Sequence, residues 1–387
     1  MTATVWLPSQ GGTVEAYSLH EPADWKRPPG PLRCRIAFAA AHVVADPHGE
    51  NLPGATPAID WDSTLAFRRH LWSYGLGLAE AMDTAQRGMG LDWTATQELV
   101  RRSAAEARTL GARIAAGAGT DHADAHLSSL TDIAAAYEEQ IEVIDGTGAQ
   151  VILMASRQLA RVASGADDYH LVYDRLLSQV RRPVILHWLG PMFDPSLAGY
   201  WGSPDVEVAT EALLSLVVDH ADVIDGVKVS LLDADHEVRL RSRLPEGVRL
   251  YTGDDYNYPD LIKGDGRRAS DALLGVFAAI APAASAALQA LDRRDVPGFD
   301  AAMGPTVPLG RHLFSVPTYY YKTGIAFLAW LAGYQPGFTM IAGLQSARSV
   351  PHLVEAFRLA DAAGLLPDPD LAAHRMRALL EVAGFAP

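Results

Sequence analysis

The chain has 387 residues, of which 49% are hydrophobic and 20% charged, so it has the composition of a globular protein and not of a fibrous or disordered one. Its formal net charge of -14 argues against nonspecific nucleic-acid binding and against attachment to a membrane surface. The single cysteine, Cys34, excludes an intrachain disulfide framework and a zinc site built from cysteines. The sequence does not open with a basic segment followed by an apolar run, and we expect a cytoplasmic protein.

Short apolar runs alternate with helical patterns along most of the chain. Residues 1–33 are rich in proline and polar residues, and they predict an arm or a short hairpin. The runs that follow have the length and apolar content of buried strands, and they cover residues 36–40, 75–82, 112–117, 149–155, 182–188, 222–230, 247–252 and 272–279. Helical patterns separate these runs, and capping residues such as Asp60 and Asp92 stand at two of the predicted helix starts.

This alternation of strands and helices over about 250 residues predicts a (β/α)₈ TIM barrel, although a doubly wound sheet would show a similar alternation. Residues 284–387 carry alanine and leucine at helical spacing, and no strand signal reappears there. The prediction is therefore an N-terminal arm over 1–33, a barrel over 34–283, and a C-terminal helical extension over 284–387 that packs on the barrel.

One predicted strand, 222–230, contains a charged residue, Lys228, among β-branched neighbours. A buried ammonium group is costly unless it is paired, and burial shifts the pKa of a lysine toward the range in which the neutral amine attacks carbonyls. That is the chemistry of a Schiff-base lysine. A lysine at a strand end that reaches solvent, or that pairs with Asp225 or Asp233, would give the same pattern.

Polar side chains follow the predicted strands at their carboxyl ends, where barrel enzymes hold their active sites. They are His42, Glu80, Asp83, Asp121, His122, Asp124, His126, Ser156, Arg157, His187, Trp188, Ser230, Asp254, Asp255, Tyr256 and Asn257. Arg157 would suit a substrate carboxylate or a hydroxylated chain, and His187 could move protons. His187 could also be a hydrogen-bonded core residue, and Asp254 and Asp255 could cap the next helix.

The segment 121–126, Asp-His-Ala-Asp-Ala-His, resembles a cluster of metal ligands, because His122 and His126 would share one face if the segment were helical. The same residue types also cap helices, and this segment immediately precedes a predicted helix.

The order and spacing of these motifs resemble the dihydrodipicolinate synthase / N-acetylneuraminate lyase family of class I aldolases, over roughly residues 34–365. Gly226-Val-Lys-Val-Ser230 is similar to the family's Gly-(Ile/Val)-Lys-(Glu/Asp)-(Ala/Ser) strand, and the resemblance implies that Lys228 forms the Schiff base. The other similar segments are Pro183-Val-Ile-Leu-His187 to a Pro-x-Ile-Leu-Tyr strand, Tyr251-Thr-Gly-Asp-Asp255 to Ser-Gly-Asp-Asp, and Asp60-Trp-Asp-Ser63 to an Ile-Asp-x-x helix start.

Two departures from the family pattern concern substrate binding. The family's Gly-Thr-Thr-Gly-Glu turn, which holds a pyruvyl carboxylate, is here Gly77-Leu-Ala-Glu-Ala-Met-Asp-Thr84. The tyrosine that relays protons on the fifth strand is here His187. The chain thus resembles a remote, functionally unassigned branch, for which the fold and the lysine carry over more safely than a pyruvate-type substrate.

The sequence therefore predicts a lyase or aldolase that binds a keto acid or sugar-derived carbonyl substrate as a Schiff base at Lys228, with His187 as acid and base. No cofactor is expected, because a protonated imine is itself the electron sink. The expected substrate-binding residues are Glu80, Asp83, Ser156, Arg157, Ser230, Asp254 and Asp255. By analogy with the family we expect a homodimer or homotetramer.

Two other functions fit the same sequence. One is a metal-dependent barrel lyase or isomerase that uses the 121–126 cluster with Glu80. The other is a non-catalytic sugar-acid-binding protein that has kept the pocket and lost turnover.

Overall fold

The computed structural model describes residues 3–8, 13–82 and 86–385. Its strands are β1 (Thr4–Pro8), β2 (Val14–Ser18), β3 (Ala37–Ala40), β4 (Gly77–Glu80), β5 (Ile114–Ala118), β6 (Gln150–Leu153), β7 (Val184–Leu189), β8 (Ile224–Ser230), β9 (Arg249–Thr252) and β10 (Asp271–Leu274). Its α-helices are α1 (Trp61–Ser73), α2 (Trp93–Leu110), α3 (Leu130–Thr147), α4 (Arg157–Val162), α5 (Ala166–Leu177), α6 (Val206–Asp219), α7 (Ala234–Arg243), α8 (Tyr258–Lys263), α9 (Phe277–Asp292), α10 (Val296–Met303), α11 (Val307–Leu313), α12 (Tyr321–Leu331), α13 (Val350–Ala362) and α14 (Pro369–Val382). No helix in this described part combines the length and apolar character needed to cross a membrane.

The chain forms two compact units, and each gathers separate stretches of sequence. The terminal unit contains Met1–Cys34, His42–Leu76 and Gly275–Pro387. The barrel unit contains Arg35–Ala41 and Gly77–Leu274. The boundaries predicted from the sequence, at residues 33 and 283, divide the chain into consecutive parts, whereas each folded unit combines stretches that are separate in the sequence.

The barrel unit holds a closed sheet of eight parallel strands in the order β10-β3-β4-β5-β6-β7-β8-β9, which confirms the predicted (β/α)₈ barrel. Every residue of β7 is buried, as expected for a parallel strand that is covered on both faces. Helices between consecutive strands return the chain so that each new strand lies parallel to the previous one.

Side chains that accept hydrogen bonds from the first turn fix where the barrel helices begin. The capping residues are Asp92 for α2, Ser129 for α3, Ser156 for α4, Asp205 for α6 and Asp233 for α7. Such a cap stabilises a helix by about 1 kcal/mol. Gly111 and Gly148 end α2 and α3 in the left-handed conformation, which glycine adopts without steric cost, and the chain then turns into the next strand.

The last predicted strand, 272–279, is wrong in its second half. β10 ends at Leu274, and α9 begins at Phe277. A short run of alanine, leucine and valine has no periodicity that separates a buried strand from a buried helix, so the sequence did not reveal the change at Gly275.

In the terminal unit, β1 and β2 form an antiparallel hairpin, and the rest is helical. Asp361 on α13 fixes the hairpin end, because its carboxylate accepts hydrogen bonds from the Tyr17 hydroxyl at 2.7 Å and from the His20 backbone at 3.2 Å. Asp292 accepts hydrogen bonds from the backbone of Arg33 and Cys34 in the same way. Two carboxylates therefore tie the N-terminal segment to helices of this unit.

Candidate functional site

Lys228 lies in the middle of β8 and faces the interior of the barrel. It is the register partner of His187 on β7 and of Tyr251 on β9. Paired residues of neighbouring strands share one face of a sheet, and Tyr251 belongs to the interior core. Lys228 is 8% exposed and His187 is fully buried. An amine and an imidazole thus lie side by side inside the barrel.

Ser230 completes this group. It follows Lys228 by two residues and therefore points to the same face of β8. Its Oγ lies 3.2 Å from Nε2 of His187, within hydrogen-bonding distance. Lys228, His187 and Ser230, which the sequence singled out separately, form one cluster on two adjacent strands.

Gly253 leaves the space that this cluster occupies. An ideal Cβ at position 253 would lie 2.1 Å from Ser230 Oγ and 2.9 Å from Lys228 Cε. The Gly253 backbone N–H donates to the Val229 carbonyl at 2.7 Å, which holds the loop after β9 against β8. Gly253 stands within the Tyr-Thr-Gly-Asp-Asp motif, but the sequence alone predicts no role for this glycine.

At the amino-terminal end of the barrel, the Tyr251 ring extends away from Lys228, and its hydroxyl donates to Asp225 at 2.6 Å. Burial, together with this hydrogen bond to Asp225, raises the pKa of Tyr251, so the phenol stays protonated. Arg249 pairs with two carboxylates: its Nε lies 3.6 Å from Asp225 Oδ1, and its Nη1 lies 3.2 Å from Asp271 Oδ2. Gly226 makes room for the ring, since a Cβ there would lie 2.8 Å from Tyr251 Cε2.

A cavity of about 990 Å³ opens among the loops at the carboxyl ends of β4 to β7. Its lining includes Met154, which belongs to the interior core, and Leu189, which follows His187 by two residues on the same face of β7. Arg157 also lines it. Among the residues that the structure describes, Lys228 and His187 are not part of this lining. The cavity therefore lies beside the lysine cluster. Leu189 connects the two, because it lines the cavity and follows His187 by two residues on β7.

Arg87 is a residue of this cavity that the sequence analysis missed. Its guanidinium is buried and pairs with Asp121, with Nε 2.9 Å from Oδ2 and Nη2 2.7 Å from Oδ1. Although burial opposes the effect, this pairing lowers the pKa of Asp121. Arg87 also lies 5.2 Å from the Trp93 ring centroid. A lone arginine in a glycine-containing loop gives no periodic signal that would predict such a role.

Other predicted site residues serve the local structure. Ser156 Oγ accepts from the Leu159 N–H at 3.0 Å as the cap of α4, and it lies 2.6 Å from the Thr120 hydroxyl. Glu80 points away from the barrel interior, because its neighbour Ala79 is an interior residue. Its Oε2 accepts from Ser103 of α2 at 2.6 Å.

The two aspartates after β9 are buried. Asp254 Oδ1 accepts from the backbone of Tyr256 and Asn257 at 2.8 and 3.0 Å, and Oδ2 accepts from the Asn257 side chain at 2.9 Å. These bonds fix the turn that precedes α8, and they do not cap that helix, which begins at Tyr258. Asp255 is 3% exposed. Asp83 lies outside the described residues.

The 121–126 segment forms turns and not a helix, so His122 and His126 do not share a helical face. His122 lies 2.9 Å from Glu139 Oε2 and 2.8 Å from Gln140 Nε2. Asp124 Oδ1 accepts from the His126 backbone at 2.7 Å, as in a local turn. Within the described ranges, no group of three or more His, Cys, Asp or Glu side chains could hold a metal ion.

His42 belongs to the terminal unit, where it is fully buried with Nε2 2.6 Å from Gln335 Oε1. Burial lowers its pKa to about 3, so the ring is neutral at physiological pH. Lys322, 3% exposed, is the other buried lysine among the four in the sequence, and it lies in the same unit.

The barrel and its lysine strand define a closed (β/α)₈ protein with the architecture of dihydrodipicolinate synthases. The synthase from Aquifex aeolicus matches with a TM-score of 0.64 at 12% identity, over 86% of this chain and 99% of that chain. The synthases from Oceanobacillus iheyensis and Thermotoga maritima both match with a TM-score of 0.63 at 14% identity, over 85% and 86% of this chain and 96% and 100% of theirs. Identities this low show a common fold and do not show a common reaction.

A family model that matches nearly the whole sequence shows the family to which the chain belongs. The chain belongs to the family described as "Protein of unknown function (DUF993)", whose model matches residues 5–385. No curated protein matches the sequence.

Proposed function

We propose that this protein is a lyase of the class I aldolase type, which binds a keto acid or a sugar-derived carbonyl compound as a Schiff base on Lys228. The observation that carries the proposal is the position of Lys228, buried in the barrel interior and in register with His187. A buried amine beside an imidazole has the two groups that imine formation and carbon–carbon cleavage need. The similar fold of dihydrodipicolinate synthases supports the same reaction class.

In the proposed reaction, Lys228 Nζ attacks the substrate carbonyl, and loss of water leaves a protonated imine. His187 then takes the proton of the hydroxyl group on the carbon β to the imine. The bond between the α and β carbons breaks, its electron pair moves into the imine to give an enamine, and an aldehyde leaves. The protonated His187 returns its proton to the enamine carbon, and water hydrolyses the imine. Ser230, at 3.2 Å from Nε2, would orient the imidazole.

The test is reduction by borohydride in the presence of a panel of keto acids and keto sugars, followed by peptide mass mapping. A reduced imine should add the mass of one substrate to the peptide that contains Lys228. The Lys228→Arg variant keeps a cation but cannot form an imine, and it should not be modified. Lys322→Arg serves as the control at the other buried lysine, and Lys263→Arg as the control at a lysine on the barrel-unit surface paired with Asp260.

Modification of Lys322 or Lys263 in place of Lys228 would contradict the proposal. Equal modification of Lys228→Arg and wild type would do the same. Trapping after dialysis against EDTA separates this reaction from a metal-dependent lyase, whose turnover would stop. If no carbonyl compound in the panel is trapped while a sugar acid binds, the result favours a non-catalytic binding protein.

A further inference from the structure

The arginines of the 990 Å³ cavity differ in how their hydrogen-bonding groups are used. Arg87 is buried and its charge is compensated by Asp121. Arg161 donates through Nη1 to the Ala125 carbonyl and through Nη2 to the Leu127 carbonyl, at 2.7 Å for the latter. Within the described residues it pairs with no carboxylate. Arg87 thus shapes the wall, whereas Arg161 contributes a positive charge.

The guanidinium of Arg157 is held through its Nε atom. Its Nε donates to Asp194 Oδ2, and Asp194 Oδ1 is fixed by the Ser196 backbone and hydroxyl at 3.1 and 2.6 Å. The Arg157 side chain is 60% exposed, and its two Nη atoms form no hydrogen bond to the described part of the chain. Nη1 lies 3.7 Å from the position that a Cβ on Gly88 would take, so this end of the guanidinium points toward the loop after β4.

The rest of the lining indicates where the remainder of a ligand would lie. Met154 and Leu189 form an apolar wall of the cavity, on the side of the interior face of β7 that carries His187. Gly88 lies in the loop after β4, and Trp93 is the first residue of α2. A cavity of about 990 Å³ is at the upper end of the sizes typical for pockets that enclose small molecules, and it exceeds what a three-carbon keto acid fills.

We propose that Arg157 is an anion subsite, and that the substrate of Lys228 carries a carboxylate or phosphate group at the end remote from its carbonyl. The inference rests on the proposed function for the carbonyl end, and on the Arg157 geometry for the anionic end. A guanidinium held at Nε presents its two Nη donors as a fork, which fits two oxygens of one anionic group. Asp194 compensates the charge of Arg157, so the positive charge that favours an anion over a neutral hydroxylated chain comes from Arg161, whereas Arg157 supplies the two Nη donors.

The subsite is tested with anions that need no reaction. Binding of inorganic phosphate, of glutarate and of the neutral 1,5-pentanediol is measured by titration calorimetry on wild type and on Arg157→Met, Arg157→Lys and Lys228→Arg. Arg239→Met is the matched control, because Arg239 forms a comparable ion pair with Glu207 outside the cavity. We expect at least one anion to bind wild type and the control equally. Loss of the charge-assisted hydrogen bonds in Arg157→Met should weaken that binding by about tenfold or more.

Arg157→Lys should retain part of the affinity for the anion. The neutral diol should bind wild type much more weakly than the anion does. Phosphate binding without glutarate binding identifies a phosphorylated substrate, and the reverse identifies a dicarboxylate. Equal anion binding by Arg157→Met and wild type, or no anion binding by wild type, overturns the subsite. Lys228→Arg should still bind the anion, so failure of imine trapping with intact anion binding rejects the Lys228 reaction and leaves the subsite standing.

Discussion

Lys228 fills the space that a side chain at position 253 would need. The ideal Cβ at Gly253 would lie 2.9 Å from Lys228 Cε, 2.7 Å from the Val229 carbonyl oxygen and 2.1 Å from Ser230 Oγ. Real Cβ contacts are essentially never shorter than 3.0 Å, so at least one of these groups would have to move. The glycine is therefore part of what positions the lysine cluster.

The substitution Gly253→Ala is the first prediction. We expect the rate of borohydride trapping at Lys228 to fall at least about tenfold, because small displacements at a reacting centre cost rate steeply. The measurement is the trapping rate with one reactive carbonyl compound. Gly146→Ala in α3 is the control, since nothing lies within 4 Å of its added Cβ. Unchanged trapping in Gly253→Ala would show that the close approach does not matter.

The second prediction separates proton transfer from imine formation. In His187→Gln, kcat for carbon–carbon cleavage should fall by about 10²–10⁴-fold, the usual contribution of a general acid or base. Trapping at Lys228 should persist, because the amine remains. Ser230→Ala should lower kcat less, since the hydroxyl acts through the imidazole at 3.2 Å. Loss of trapping in His187→Gln together with loss of the folded circular dichroism spectrum would show a structural role instead.

The third prediction concerns the ion pair of the buried Arg87 with the partly exposed Asp121. Arg87→Met removes this pair and the donor to the buried Ala81 and Gly117 carbonyls, and we expect the free energy of unfolding in urea to fall by about 1–3 kcal/mol. Adding Asp121→Asn should recover part of this loss, as a double-mutant cycle measures. Arg101→Met removes an arginine from the exposed pair with Glu98 and should change stability little. Equal effects of the two arginine substitutions would contradict this assignment.

The fourth prediction is a pH dependence of stability that arises from Glu237. Burial of its carboxyl, with a smaller contribution from the Asp254 charge, raises its pKa from 4.5 to about 8. The folded protein then binds this proton more tightly than the unfolded chain. The stabilisation from Glu237 is fully present below pH 4.5 and is lost as the pH rises toward 8, with a slope of at most about 1.4 kcal/mol per pH unit.

Urea denaturation at a series of pH values between 5 and 8 measures this slope. Glu237→Gln resembles the neutral acid, because its amide oxygen can accept from one of the Thr252 and Ser270 hydroxyls and its NH2 group can donate to the other. It does not titrate, so the decline with pH should be smaller in this variant. Parallel stability curves for the two proteins would mean that Glu237 does not titrate in this range.

The sequence predicted the barrel because its strands carry a strong signal. β7 is an apolar run interrupted only by His187, and β8 carries valines on both sides of Lys228, so both have the pattern of strands that are covered on both faces. The repetition of such runs with intervening helices predicted the barrel, although a doubly wound sheet would show a similar alternation. The same signal failed at Gly275, where both the strand and the helix that flank it are buried and rich in alanine and leucine. Periodicity disappears when an element is buried all round.

The sequence located the site less completely, because position at a strand end does not determine the face on which a side chain lies. Lys228 and Glu80 both lie on barrel strands, yet Lys228 faces the interior and Glu80 faces α2. A shift of one residue in register exchanges the two faces, and single sequences do not fix that register. Arg87 and Tyr251 were missed since their roles depend on partners, Asp121 and Asp225, that are distant in the sequence.

The packing beneath Lys228 closes the barrel interior at its amino-terminal end. Interior residues such as Phe38, Ile185 and Leu273 are at most 2% exposed, and the Tyr251–Asp225 hydrogen bond lies at the amino-terminal side of this layer. A molecule bound covalently to the lysine would have to leave along the path by which it entered. In a cleavage reaction, the fragment that carries no bond to nitrogen should therefore depart first, and product inhibition should show an ordered release with the imine-derived product last.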